Sequence, residues 1–172
     1  LNGKRFDKGG YILTYDYDKW SFIDPKEAQK KLNLPRNPRD YTSIAVTTDD
    51  SNDEIVYASS MGDGVIQYKN GTPVQSYNEK NAFKETAGGY GSGYCYIDGL
   101  AFDKNGNLWM TSSEVNHAVL VLDKAGAWHR LDIEQLRGVY TINDILITST
   151  NDKWIYVPRN TPKLVMIPNS ES

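Results

Sequence analysis

Short apolar runs alternate with polar turns along most of this chain, and the alternation itself repeats. Ile44-Ala-Val-Thr-Thr-Asp49 leads through a polar turn into Ile55-Val-Tyr-Ala-Ser-Ser60. Gly99-Leu-Ala-Phe-Asp-Lys-Asn-Gly-Asn-Leu-Trp-Met-Thr-Ser-Ser113 has the same form, as does Ile145-Leu-Ile-Thr-Ser-Thr150 followed by Trp154-Ile-Tyr-Val157. A further apolar run closes each unit: Val65-Ile-Gln-Tyr68, Val119-Leu-Val-Leu122 and Leu164-Val-Met-Ile167. Runs of this length between turn residues predict strands, and several strands per repeat predict blades of a β-propeller.

The spacing supports the repeat. Ile12 and Val65 lie 53 residues apart, and Val65 and Val119 lie 54 apart. Trp20, Val74 and Trp128 also step by 54, and Asp24, Asn78 and Asp132 close their segments at the same interval. In the last unit the step from Leu108 to Trp154 is 46, which predicts a shortened connection, since loops absorb length changes more readily than strands. The expected fold is all-β: a partial propeller of four-stranded antiparallel blades, about three to three and a half of them, open at both ends and carrying a short inserted helix. The expected blades are 10–24 (second half only), 41–78, 96–132 and 140–169 (last strand missing), in one domain spanning 1–172.

This phase, with Leu1 in place of an initiating Met, predicts a cut or processed piece of a larger propeller. Unpaired strand edges at both ends would invite another chain. Two copies joining in trans, the opening half-blade of one completing the closing blade of the other, would carry about six to seven blades, inside the usual range of four to eight.

Asp24-Pro-Lys-Glu-Ala-Gln-Lys-Lys-Leu32 predicts the helix, with Asp24 as cap, Pro25 in the first turn and Glu27 three residues after the cap. The prolines of Leu34-Pro-Arg-Asn-Pro-Arg-Asp40 end it. The basic residues around it, Lys26, Lys30, Lys31, Arg36 and Arg39, read as a solvated face in preference to an anion site. The connection from Glu79 to Cys95 contains Gly88-Gly-Tyr-Gly-Ser-Gly93, which leads into a strand and so lacks the helix N-terminus of a phosphate loop. It predicts a mobile surface loop presenting Tyr90, Tyr94 and Tyr96 to a sugar ring or a partner protein.

Asp49–Asp53, Asp103–Asn107 and Thr148–Lys153 occupy one equivalent turn. None has the twelve-residue loop ending in Glu, flanked by helices, of an EF-hand, and Asn105-Gly106 is a hairpin signal. A net charge of −3 gives no electrostatic case for nucleic acid. One cysteine, Cys95, excludes an internal disulfide, and two isolated histidines, His117 and His129, argue against a zinc site. No apolar run approaches the ~20 residues of a membrane span.

The segment Gly99 to Thr111 resembles the repeat of two-component-regulator propellers of Bacteroidetes: a hydrophobic strand, an Asp, a Gly-Asn turn, then Leu-Trp and a small polar residue. The resemblance covers about residues 10–24 and 41–169 and is strongest at 96–132; the Gly-Asn-Leu-Trp motif is absent from the first and last blades. The longer blade spacing and the inserted helix are similar to those of PorZ-like propeller proteins linked to type IX secretion. The resemblance implies an extracytoplasmic protein, periplasmic or at the cell surface, and a glycan fragment (in sensors) or an anionic lipopolysaccharide (in the secretion relative) as ligand. With no kinase or sorting module in the sequence, both subgroups stay open.

The resemblance also implies that the innermost strand of each blade starts at a ligand-facing mouth. Thr42, Asp98 and Asn143 then occupy equivalent mouth positions. Loops joining second to third strands bring Asp63, Glu114, Asn116, His117 and Arg159 to that face, and the long connection adds Tyr90 and Tyr94. Such a ring of carboxylates, amides and aromatics suits a hydroxyl-rich ligand. The expected function is a noncatalytic recognition module, without a cofactor, for a carbohydrate, surface lipid or protein ligand. One alternative is a lactonase- or lyase-type enzyme with Ca²⁺ or Mg²⁺ near Asp98 and Asn143. The other is an assembly scaffold acting through the open edges.

Overall fold

The computed structural model describes residues 11–88 and 93–169. An opening hairpin pairs β1 (Ile12–Asp16) with β2 (Lys19–Ile23), and helix α1 (Pro25–Leu32) follows. The first complete blade is the antiparallel meander β3 (Tyr41–Thr48), β4 (Glu54–Gly62), β5 (Gly64–Lys69) and β6 (Thr72–Tyr77). The second repeats it with β7 (Cys95–Phe102), β8 (Leu108–Ser112), β9 (Val119–Leu122) and β10 (Trp128–Leu131). A three-stranded sheet, β11 (Asp144–Ile147), β12 (Lys153–Val157) and β13 (Lys163–Ile167), ends the described residues. This is a partial β-propeller. The two complete blades are also stitched edge to edge, because β4 and β7 pair at Met61–Tyr96 and Gly62–Cys95.

The equivalent turns are built alike. In the first complete blade Asp49 N–H donates to Asp53 O at 3.0 Å; in the second Asp103 N–H donates to Asn107 O at 2.9 Å; in the last sheet Thr148 N–H donates to Asp152 O at 2.9 Å. The first side chain of each turn caps it: the Asp49 carboxylate accepts from the amides of Ser51 and Asp53, and the Asp103 carboxylate from those of Asn105 and Asn107. The fourth residue takes the left-handed conformation in all three, at Asn52, Gly106 and Asn151. Asn and Gly tolerate that region, so the polar turn chemistry in the sequence fixes three hairpins of one design.

These turns correct one register. Asp103 and Thr148 are 45 residues apart, so Trp109 aligns with Trp154, and the expected match of Leu108 to Trp154 is one residue out. In a strand a slip of one moves a side chain to the opposite face. In the corrected register Leu100, Leu108 and Met110 match Ile145, Lys153 and Ile155, and each set faces the preceding blade.

Packing between blades holds the assembly together. Ala45 and Val65, with Tyr57 and Tyr77 against them, meet Leu100, Leu108, Met110, Leu120 and Leu122 of the next blade. At its outer end Trp128 sits edge-on to Tyr77 and Phe83, with ring centroids 5.5 and 5.4 Å away. The following joint buries Val119, Ile145, Ile155 and Val157, with Leu136 from the connection. Burying each such side chain contributes about 1.5–3 kcal/mol, so the joints outweigh the exposed ion pairs, which are worth at most about 1 kcal/mol each.

Helix α1 forms as its sequence predicts. Asp24 caps it by accepting from Lys26 N–H at 2.9 Å, Pro25 opens it, and Asn33 ends it in the left-handed conformation. Its buried Ala28 joins Val56, Ala58, Ile66 and Tyr68 at the joint between the opening hairpin and the first complete blade. Among the described residues no helix is long and apolar enough to cross a membrane.

Candidate functional site at the loop end of the blades

The hairpin turns lie at one end of the sheets; the second-to-third-strand loops and the inter-blade connections lie at the other. All the described residues expected at the mouth, Thr42, Asp63, Tyr94, Asp98, Glu114, Asn116, His117, Asn143 and Arg159, fall at that second end. Tyr90 lies outside the described residues.

Two serines link the innermost strands there. Ser59 on β4 and Ser113 just beyond β8 are 54 residues apart and act alike. The Ser59 hydroxyl is 2.8 Å from Thr42 Oγ1, and Thr42 donates across the joint to Ile97 O at 2.6 Å. Ser113 donates to Asp98 Oδ2 at 2.7 Å and accepts from Ile142 N–H, across the next joint, at 2.8 Å. Thr42 and Asp98 are therefore equivalent, each bonded to the serine of its own blade. Asn143, beside Ile142, holds the corresponding place in the last sheet and is exposed.

Asp98 is only 7% exposed. Burial, with Glu114 as a smaller like-charge contribution, pushes its carboxyl up to about 7 against the lowering effect of Ser113. Its carboxyl is thus bonded to Ser113 at the joint beneath the mouth. Among the described residues there is no cluster of three or more His, Cys, Asp or Glu side chains.

Around this belt the loops form three polar clusters. In the first, Asp63 receives Arg36 Nε at 2.6 Å, with Arg39 Nε at 3.7 Å. These two arginines of the basic insert lie over the mouth, where the sequence suggested a solvated face. Arg36 and Asp63, together with Tyr94, Glu79 and Lys80, line a cavity of about 230 Å³. Tyr94 is not held out on a free loop: its ring lies against Gly62, where an added Cβ would come within 2.8 Å of it, and edge-on to Tyr96.

The second cluster centres on Glu85, which the sequence reading missed. Its carboxylate accepts from Asn116 N–H at 2.7 Å and His117 N–H at 3.3 Å, and pairs with His117 Nδ1. Burial alone would raise the Glu85 carboxyl, but these donors hold it below the ordinary value. A glutamate 31 residues upstream of its partner gives no periodic signal, so only the folded connection reveals the pair. In the third cluster Arg159 joins Arg137, Tyr140 and Lys163 around a groove of about 380 Å³.

A cavity of about 670 Å³ lies at the opposite end, between the turns of the two complete blades. It has a packing origin. At the next joint Trp109 fills the equivalent wedge, its Nε1 donating to Asp103 at 3.0 Å while Lys153 Nζ lies 4.5 Å above the ring. Ile55 and Leu108 occupy those two positions at the open joint and leave it unfilled. The loop end, where charged and hydroxyl groups converge from several blades, is the better candidate for recognition.

No family model and no curated protein matches the chain. Among solved structures it is similar to PorZ, an essential bacterial surface component of the type-IX secretion system of Porphyromonas gingivalis, with TM-score 0.76 and 22% identity over 100% of this chain. It covers 23% of that protein, so it spans under a quarter of its length. It is also similar to the extracellular domain of a one-component system from B. thetaiotaomicron, with TM-score 0.50 and 15% identity over 76% of this chain and 18% of the other. At these identities the likeness is one of fold: the chain has the propeller architecture of these bacterial surface and sensor proteins.

Proposed function

We propose that this chain is a noncatalytic, extracytoplasmic propeller module that recognises a hydroxyl-rich ligand, a cell-surface glycan or the sugar portion of a surface lipid, at the loop end of its blades, as part of a larger propeller protein. The observation that carries the reading is the gathering of Asp63, Tyr94, Asn116, His117, Asn143 and Arg159, from five separate loops and connections, at one end of the sheets. The extracytoplasmic setting is inferred from the surface and extracellular neighbours of the same fold.

The chemistry of that end fits hydroxyls. Asn116 and Asn143 are exposed amides that can both donate and accept, and Arg159 adds exposed guanidinium donors. The donors around Glu85 hold its carboxyl below the ordinary value, and Asp63, beside Arg36, adds further acceptor oxygens. Ser113 is committed to Asp98 and the Ile142 amide, so its hydroxyl serves structure and not nucleophilic attack.

The test is binding of purified lipopolysaccharide, capsular polysaccharide and oligosaccharide panels to the wild type and to His117→Ala, Asn143→Ala and Arg159→Ala. Loss of a directional hydrogen bond is worth about 0.5–1.5 kcal/mol, and somewhat more for a charged donor, so each variant is expected to weaken a bound glycan roughly three- to tenfold. A glycan whose affinity is unchanged by all three would overturn the assignment of this face.

A further inference from the structure

The open wedge between the two complete blades differs from its filled counterpart at three positions that hold the indole. At the filled joint Trp109 occupies the wedge, Lys153 Nζ lies over its ring, and Asn151 ties the two turns together by accepting from Lys104 N–H at 3.1 Å. The equivalent residues at the open joint are Ile55, 54 residues before Trp109, and Leu108 and Gly106, each 45 before Lys153 and Asn151. Ile55 is shorter, Leu108 carries no charge, and Gly106 has no side chain to reach the facing turn. What remains is a cleft of about 670 Å³, inside the ~300–1,000 Å³ range of ligand pockets.

The acceptor and the walls are still those of a ring site. Asp49 stands where Asp103 receives the indole N–H, 54 residues earlier in the repeat. Its carboxylate accepts from Lys69 Nζ at 2.7 Å, and that ammonium lines the cleft. Tyr57, Tyr77 and Phe102 line it too, where the filled joint has Thr111, Leu131 and Ile147. Tyr57 stacks on Tyr77 with centroids 6.2 Å apart and meets Phe102 edge-on at 5.8 Å. The Tyr77 hydroxyl donates to Gln67 Oε1 at 2.9 Å, which fixes its ring. Aromatic walls with a cation beside them favour a planar aromatic guest, because rings attract one another edge to face and an ammonium is drawn to a ring face.

We propose that this cleft binds a planar aromatic ring of indole size, supplied by a free small molecule or by the side chain of a tryptophan-bearing peptide. The guest takes the place that Trp109 fills from within the chain at the next joint. The cleft lies at the turn end of the sheets, so the proposal does not rest on glycan recognition at the loop end.

Calorimetric titration with indole, N-acetyltryptophanamide and a tryptophan-containing peptide tests this on the wild type and two variants. Ile55→Trp fills the wedge from within, and Gly106→Asn restores the tie between the turns. Asparagine tolerates the left-handed φ of +83° at position 106, and this turn residue is exposed, so the second variant keeps the test available should the first fail to fold. The wild type is expected to bind indole saturably. Ile55→Trp is expected to weaken that binding at least about tenfold and Gly106→Asn at least about threefold, with circular dichroism unchanged. Binding of the amide and the peptide alongside indole supports a tryptophan side chain as the guest, and binding of indole alone supports a free aromatic molecule. Two results would overturn the proposal: no saturable binding of indole by the wild type, or an indole affinity that both variants leave unchanged.

Discussion

Replacing Gly64 with alanine is expected to lower the stability of the protein by at least ~3 kcal/mol, enough to shift its melting temperature by on the order of 10 °C. Gly64 opens β5 immediately after the tight loop at Gly62 and Asp63, with φ of +80°. A Cβ there would lie 2.1 Å from the backbone oxygen of Tyr77 and 3.1 Å from the Phe83 ring. The carbonyl cannot move away, because Tyr77 is paired in register with Val65 at the other side of the ladder. Gly126 is the control: its φ is +88°, but an added Cβ meets nothing within 4 Å, so alanine there bears only the conformational cost of about 1–2 kcal/mol. Equal melting temperatures for the two variants would show that the approach of β6 to this loop is wrong.

Asp98→Asn is expected to stabilise the protein at pH 8 by up to ~4 kcal/mol and to flatten its stability between about pH 4 and 7. The carboxyl rises from 3.8 to about 7 on folding, chiefly through burial. Between these values the folded state binds the proton that the unfolded state has released. Stability from this group is therefore complete below about 4, falls as pH rises, and is lost above about 7. Asparagine keeps an oxygen for the Ser113 hydroxyl and removes the charge. The measurement is the difference between the unfolding free energies of variant and wild type across this range, which cancels other titrating groups, including Glu85 and Asp103, whose shifts run the other way. A difference that stays constant from pH 4 to 8 would show that Asp98 is solvated in the folded protein.

Much of the fold was legible because each strand and turn advertises itself locally. The apolar runs placed the complete blades, Asp24 and Pro25 placed the helix, and the polar turns at Asp49, Asp103 and Thr148 placed the hairpins. The error of one residue at Trp154 arose where the Gly-Asn-Leu-Trp motif is missing and only strand hydrophobicity was left to align. The end of the sheets that gathers the candidate residues could be read from strand order alone. What their side chains do there could not. The bonds from Ser113 to Ile142, from Arg36 to Asp63 and from His117 to Glu85 join residues 27 to 32 apart across connections of irregular length. Sequence also could not tell that Asp98 turns inward while the neighbouring amides stay outside, because both are polar residues at the start of a strand. The burial that separates them comes from the adjoining blade.

Amide hydrogen exchange with a bound surface glycan tests the central claim, that recognition takes place at the loop end, most directly. Binding is expected to slow exchange in peptides covering 36–42, 62–64, 94–98 and 114–117, and to leave the turns at 49–53 and 103–107 unchanged. Protection concentrated in those turns, around the open wedge between the complete blades, with none at the loop end, would contradict the account and move the ligand to the opposite face.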